Sequence, residues 1–244
     1  MTGKTGMRQS DIPDTARWEF YSGGYVKMAQ REDTGCVRII GVTGGVGAGK
    51  STVLSYLEKQ YGAYILEADA IGHLVQRPEE PCWEHIVEAF GVEILNGDRS
   101  INREILGGIV YADREKLDLL NGIVHPAVKR YIRQEIERIR SGTDTNPFIV
   151  IEAALLLEDH YDEICDEIWY IYADVRMRTE RLMKSRGYSM EKVRRIMKNQ
   201  MSEEEFRSRC PVVLDNSGAD TLSICGQIDR IMRERSTEQS AFTS

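Results

Sequence analysis

At 244 residues, with 41% hydrophobic and 29% charged residues, the chain is sized for one large α/β domain or a core with a smaller insertion. A formal net charge of −7 argues against wholesale nucleic-acid binding, so any anion site must be local. Cys36, Cys82, Cys165, Cys210 and Cys225 form no C-x-x-C pair and read as reduced thiols; with no membrane-length apolar run and no signal-peptide core, the expected location is the cytoplasm.

Residues 1–35 mix charges with Gly, Ser and Thr and show no sustained period. They read as a poorly ordered extension, with Trp18, Phe20, Tyr21 and Tyr25 offering the alternative of an aromatic docking arm. Val37-Arg38-Ile39-Ile40 then reads as a buried strand, and Val53, Leu54, Leu57 and Tyr61 recur at helical spacing. Between them lies GVTGGVGAGKST, in which Gly44, Gly49, Lys50 and Ser51 fit the phosphate-loop pattern G-x-x-x-x-G-K-[ST]. Glycines let successive N–H groups approach a polyphosphate, and the helix beginning near Lys50 adds its positive end. The nucleotide contacts expected here are Gly45, Val46, Gly47, Ala48, Gly49, Lys50, Ser51 and Thr52. Lys50 suits the β and γ phosphates, and the Ser51 hydroxyl suits Mg²⁺.

Ala63-Tyr64-Ile65-Leu66 reads as a second strand running into Glu67-Ala68-Asp69. Ligands of open α/β sheets collect beyond the carboxyl ends of the strands, so Asp69 belongs on the phosphate-loop edge. There it can accept a proton from an attacking hydroxyl or help hold the metal through water; capping a helix that starts at Ala70 is the structural alternative. From Pro78 to Gly142 the periodicity is helical, with a long helix expected to open at His125-Pro126. This block of about 78–142 reads as a substrate-side subdomain. Phe148–Glu152, Ile168–Tyr172 and Val212–Leu214 are three more strands, and a last helix is expected over Thr221 to Arg235 before a frayed tail at 237–244. Five strands alternating with helices predict a three-layer α/β fold with a mainly parallel sheet.

Between Arg176 and Lys198, nine Lys and Arg residues face only Glu180 and Glu191. Arg178 and Arg181 share a helix face, and Gly187-Tyr188-Ser189 separates two short helices. A basic helical lid over about 176–208, closing on a triphosphate, explains this cluster in an acidic chain better than a solvated face does.

From about Val37 to Arg235 the chain resembles the dephospho-CoA kinase family. The segments that carry the likeness are TGGVGAGKST (43–52), EADAIGHLV (67–75), INREILGGIVYAD (101–113), LLNGIVHPAV (119–128), ALLLE (154–158), RLMKSRGYSMEKVRRIMKNQ (181–200) and VVLDNSG (212–218). The resemblance implies a P-loop NTPase fold over 36–236 and Mg²⁺-assisted, ATP-dependent phosphorylation of the ribose 3′-hydroxyl of dephospho-CoA, the last step of coenzyme A synthesis. The family's proposed base then falls on Asp69 and its adenine-side turn on Asn216, while the residue reading puts catalytic charge on Lys50 and Arg181 and nucleotide contacts on Arg178. The implied partners are ATP and dephospho-CoA, without nucleic acid or membrane, in a monomer or small homo-oligomer. Three departures stand out: Glu67 replaces an aspartate, Ala154 a proline, and Cys210-Pro211 the usual Ala-Asp. The rival readings are a kinase of this fold with another acceptor, and a nucleotide switch. For the switch, Asp69-Ala70-Ile71-Gly72 spells D-x-x-G, but it comes too soon after the loop.

Overall fold

A computed structural model of the chain describes the backbone of residues 18–21, 24–27, 37–142, 148–218 and 221–242, and side chains over 37–142, 148–218 and 222–235. The chain divides into two units, Met1–Cys36 and Val37–Ser244. In the first, β1 (Trp18–Tyr21) and β2 (Gly24–Lys27) form an antiparallel pair with Trp18 opposite Lys27 and Tyr21 opposite Gly24. The sequence reading assigns no element there; the rest of residues 1–35 lies outside the described residues.

The second unit is built on five strands: β3 (Arg38–Thr43), β4 (Tyr64–Glu67), β5 (Phe148–Glu152), β6 (Glu167–Tyr172) and β7 (Val212–Asp215). They hydrogen-bond in the order β4-β5-β3-β6-β7, every pair parallel. Their apolar runs reflect burial on both faces. Ile39, Ile149, Ile151, Ile168 and Tyr170 join one core, whereas Ile40, Val42, Val150, Trp169 and Ile171 join the other. Alternation along the strands assigns those faces. On the second face pack α1 (Lys50–Tyr61) and α9 (Thr221–Phe242), through Val53, Leu54 and Leu57 and through Ile224, Ile228 and Met232. On the first lie α2 (Ala68–Val75), α3 (Pro81–Phe90), α4 (Arg103–Ala112) and α5 (Arg114–Ser141), so the expected three-layer architecture holds.

Both long helices differ in their bounds from expectation. The long helix opens not at His125-Pro126 but at the Asp113 cap, whose carboxylate accepts from the Glu115 and Lys116 N–H groups. Pro126 lies inside α5, although it removes a ladder bond and crowds the Gly122 carbonyl, a cost of about 3 kcal/mol. Tertiary packing outweighs that cost: Leu117, Leu120 and Val124 before the proline and Val128, Ile132 and Ile136 after it share one core. Likewise α9 continues past Arg235 to Phe242, through a stretch with no glycine or proline to stop it.

The register determines what meets at the carboxyl edge. Glu67 at the end of β4 pairs with Glu152 at the end of β5, which in turn pairs with Val42, one residue before β3 ends. Tyr172 of β6 pairs with Asp215, so Asn216 leaves the same edge. Beyond β6, α6 (Val175–Arg186), α7 (Met190–Lys198) and α8 (Glu203–Arg209) return the chain to β7. Gly187, at φ +62°, ends α6, and Ser189 caps α7 by accepting from the Lys192 N–H, giving the separation into two short helices expected from the sequence.

Candidate active site

β3 ends at Thr43 and the chain turns directly into the loop that feeds α1. Gly44 has φ +150°, and a Cβ there would stand 2.5 Å from the Ile171 carbonyl oxygen; Gly49 has φ +90°, and its Cβ would collide with Asn216 Nδ2. Gly49 is also the N-cap of α1 and makes no side-chain cap bond, so the leading N–H groups of that helix are available to an anion.

The loop is held from outside by the basic helix. Arg178 donates from Nε to the Val46 carbonyl at 3.0 Å and from its terminal nitrogen to Gln200 Oε1, which also accepts from the Val46 N–H. Arg181 donates to the Ala48 carbonyl at 3.3 Å and to the Asn216 carbonyl at 2.9 Å. The buried Asn216 amide donates to the same Ala48 carbonyl at 2.7 Å. Burial of the Arg178 guanidinium pulls its pKa below the usual arginine value. Lys50 curls over the loop, donating to the Gly44 carbonyl at 2.9 Å, with Nζ 3.5 Å from Glu152.

A cavity of about 690 Å³ opens between this loop and α6. Of the expected nucleotide contacts, Val46, Gly47, Gly49, Lys50, Ser51, Thr52 and Asn216 line it, whereas Gly45, Ala48 and Arg178 do not. Arg181 lines it together with Ser185 and Arg186 of the same helix. Its acidic wall is Glu67, Asp69 and Glu152. Asp69 sits in the first turn of α2, which starts at Ala68, so capping a helix from Ala70 is not its role. Its carboxylate is exposed and makes no side-chain hydrogen bond or ion pair among the described residues. It also lines a second, adjoining cavity of about 380 Å³, walled by α2, α5 and the segment after β5.

Glu152 escaped the sequence reading. Burial raises its pKa, the Lys50 charge opposes that rise, and the Asp69 charge adds to it. A lone carboxylate closing an otherwise apolar strand is the signal that marks it. Gln200 carries no comparable signal in the sequence. The polar donors around Lys50 are all oxygen: the Ser51 hydroxyl and the three carboxylates. Among the described residues, no three or more His, Cys, Asp or Glu side chains, these carboxylates included, are placed to hold a metal ion by themselves. Such a donor set fits Mg²⁺ shared between one or two protein oxygens and phosphate, not a closed all-protein cage.

Comparison with known proteins agrees with this arrangement. The family model described as dephospho-CoA kinase matches residues 38–221. The dephospho-CoA kinase of Syntrophus aciditrophicus is 36% identical over 215 residues, covering 86% of this chain and 90% of that protein. The dephospho-CoA kinase of Carboxydothermus hydrogenoformans is 39% identical over 182 residues, covering 74% and 86%. A solved Thermus thermophilus structure superposes with a TM-score of 0.68 at 31% identity, over 81% of this chain and 97% of that one. The Campylobacter jejuni dephospho-CoA kinase structure, at 22% identity and a TM-score of 0.60 over 81% and 98%, shares the fold. A phosphate loop under a basic helix, a carboxylate-lined edge and a match through most of the folded unit together establish that the chain belongs to the dephospho-CoA kinase family.

Proposed function

We propose that ATP occupies the cavity between the phosphate loop and α6, and that Asp69 accepts the proton of the ribose 3′-hydroxyl of dephospho-CoA as the γ-phosphoryl group moves to that oxygen. The family reaction, ATP-dependent phosphorylation of dephospho-CoA at the final step of coenzyme A synthesis, supplies both substrates. The observation that carries the residue assignment is the position of Asp69, the titratable side chain lining both the phosphate-loop cavity and its neighbour. A base must reach the acceptor hydroxyl while that oxygen faces the phosphoryl group, and a carboxylate common to the two spaces meets this requirement.

In this reading Lys50 leaves the Gly44 carbonyl to meet the β and γ phosphates, and Arg181 neutralises charge from the lid side. Arg178 and Asn216 act on the nucleotide chiefly by bracing the loop peptides at Val46 and Ala48. The new bond joins the 3′-oxygen to phosphorus, the bond from phosphorus to the ADP oxygen breaks, and the proton goes to Asp69. Ser51, with Asp69 through water, would hold Mg²⁺, which would supply positive charge to offset that of the phosphates. Residues 78–142 form the acceptor side and 176–208 the lid, with Gly187 as the hinge between α6 and α7. None of these roles is assigned to residues 1–35 or 237–244. No helix among the described residues is long and apolar enough to cross a membrane, and we assign the enzyme to the cytoplasm.

The test is an ATP-to-ADP assay with Mg²⁺, with and without dephospho-CoA, reading the product by mass. ADP that forms only with dephospho-CoA, together with one phosphate added to it, supports the reading; acceptor-independent release of phosphate refutes it. Asp69→Asn should lower kcat by about 10²-fold or more while leaving ATP binding within a few-fold of wild type.

A further inference from the structure

The second cavity contains a histidine–aspartate contact that phosphate chemistry leaves unused. His125, at the middle of α5, lies with Nδ1 3.0 Å from Oδ1 of Asp159 in the segment after β5. The two side chains are 35% and 21% exposed, and both line the cavity that Asp69 shares with the nucleotide site. We propose that His125 binds a ribose hydroxyl of dephospho-CoA through Nε2, with Asp159 as the positioning residue that holds its ring; this inference rests on the acceptor reading given above.

The chemistry follows from the tether. With Nδ1–H donated to the carboxylate, the neutral ring presents Nε2 as an acceptor, the partner a sugar hydroxyl needs. The tether also fixes ring orientation before the substrate arrives, so less side-chain freedom is lost on binding. It engages one of the two aspartates in the cavity and leaves Asp69 without an ion-pair partner to receive the proton. Both carboxylates bear on the same space: burial, followed by the charges of Asp159 and Asp69, pushes the buried Tyr161 phenol up to about 12. Val124, Val128 and Ala153 supply an apolar wall. Apolar walls with a few convergent polar groups are the usual form of a site for a small organic ligand.

Steady-state kinetics of the full chain, varying ATP and dephospho-CoA separately, test the assignment. His125→Ala should raise KM for dephospho-CoA about tenfold, the worth of one hydrogen bond to a positioned group, and leave KM for ATP within about twofold. His125→Gln, whose amide reaches the Nε2 position, should recover most of the loss. His125→Asn, whose amide reaches only the Nδ1 position and so keeps the tie to Asp159, should recover little. Asp159→Asn should raise the same KM by less, and combining it with His125→Ala should add almost nothing. An unchanged acceptor KM in His125→Ala overturns the inference, as does recovery by Asn equal to that by Gln. Parallel loss of both substrates with a lowered Tm would assign the pair to folding and also overturn it. If the wild-type enzyme forms no ADP in response to dephospho-CoA, the acceptor reading itself falls and carries this inference with it.

Discussion

Replacing Arg178 by alanine separates a brace from a ligand contact. The sequence expectation is that Arg178 touches ATP, but its guanidinium lies off the cavity and bonds the loop at Val46 and at Gln200. Hydrogen bonds from a charged donor contribute about 1.5–3 kcal/mol each, so two give about 3–6 kcal/mol gross. Desolvation of the guanidinium, visible in its lowered pKa, offsets part of that. After truncation Gln200 Oε1 still accepts from the Val46 N–H and water can reach the partly exposed Val46, so a net loss of about 2 kcal/mol is expected. For a folded unit of this size that corresponds to a Tm about 4–8 °C lower. The assay is thermal or urea unfolding without nucleotide, run beside an ATP titration of the same variant. Arg178→Lys should fall between, because a compact ammonium cannot span both acceptors. A ligand contact would leave the nucleotide-free protein as stable as wild type while raising KM for ATP; that result would refute the brace.

Three further outcomes follow from the same geometry. Gly44→Ala should cost about 3 kcal/mol or more in urea unfolding, since the added Cβ meets the backbone oxygen of Ile171 at a φ that L-residues avoid. Lys50→Ala should weaken ATP binding and lower kcat together, and equal ATP affinity in wild type and variant would remove Lys50 from the phosphate site. Glu152 gives a pH signature: burial raises its folded pKa above the ordinary 4.5, so its contribution to stability is fully present below 4.5 and is lost as pH rises through the folded value. Glu152→Gln should flatten that segment of the stability–pH curve measured by urea unfolding, whereas an unchanged slope would show that another group dominates it.

The sequence by itself determined the strand–loop–helix unit, the five-strand count and the basic segment, because each is written locally. A phosphate loop needs glycines and a lysine at fixed offsets, buried parallel strands need unbroken apolar runs, and nine Lys and Arg residues in one acidic chain form a signal by contrast. The family motifs added the acceptor. Tertiary structure alone decided the rest. Pro126 reads as a helix start, and only the common core shared by Leu117, Leu120, Val128 and Ile132 shows why the helix runs through it. Glu152 becomes a site residue because the parallel register of β5 against β3 and β4 brings it beside Glu67 and Lys50. Arg178 and Arg181 share a helix face in the sequence, yet one bonds the loop from outside the cavity while the other lines it, a difference fixed by how α6 packs against residues more than a hundred positions earlier. The tie between His125 and Asp159 likewise joins residues on α5 and beyond β5 that no local pattern connects. Local chemistry reads along the chain, but which side chains share a space is set by packing between elements distant in sequence, and the site depends on that packing.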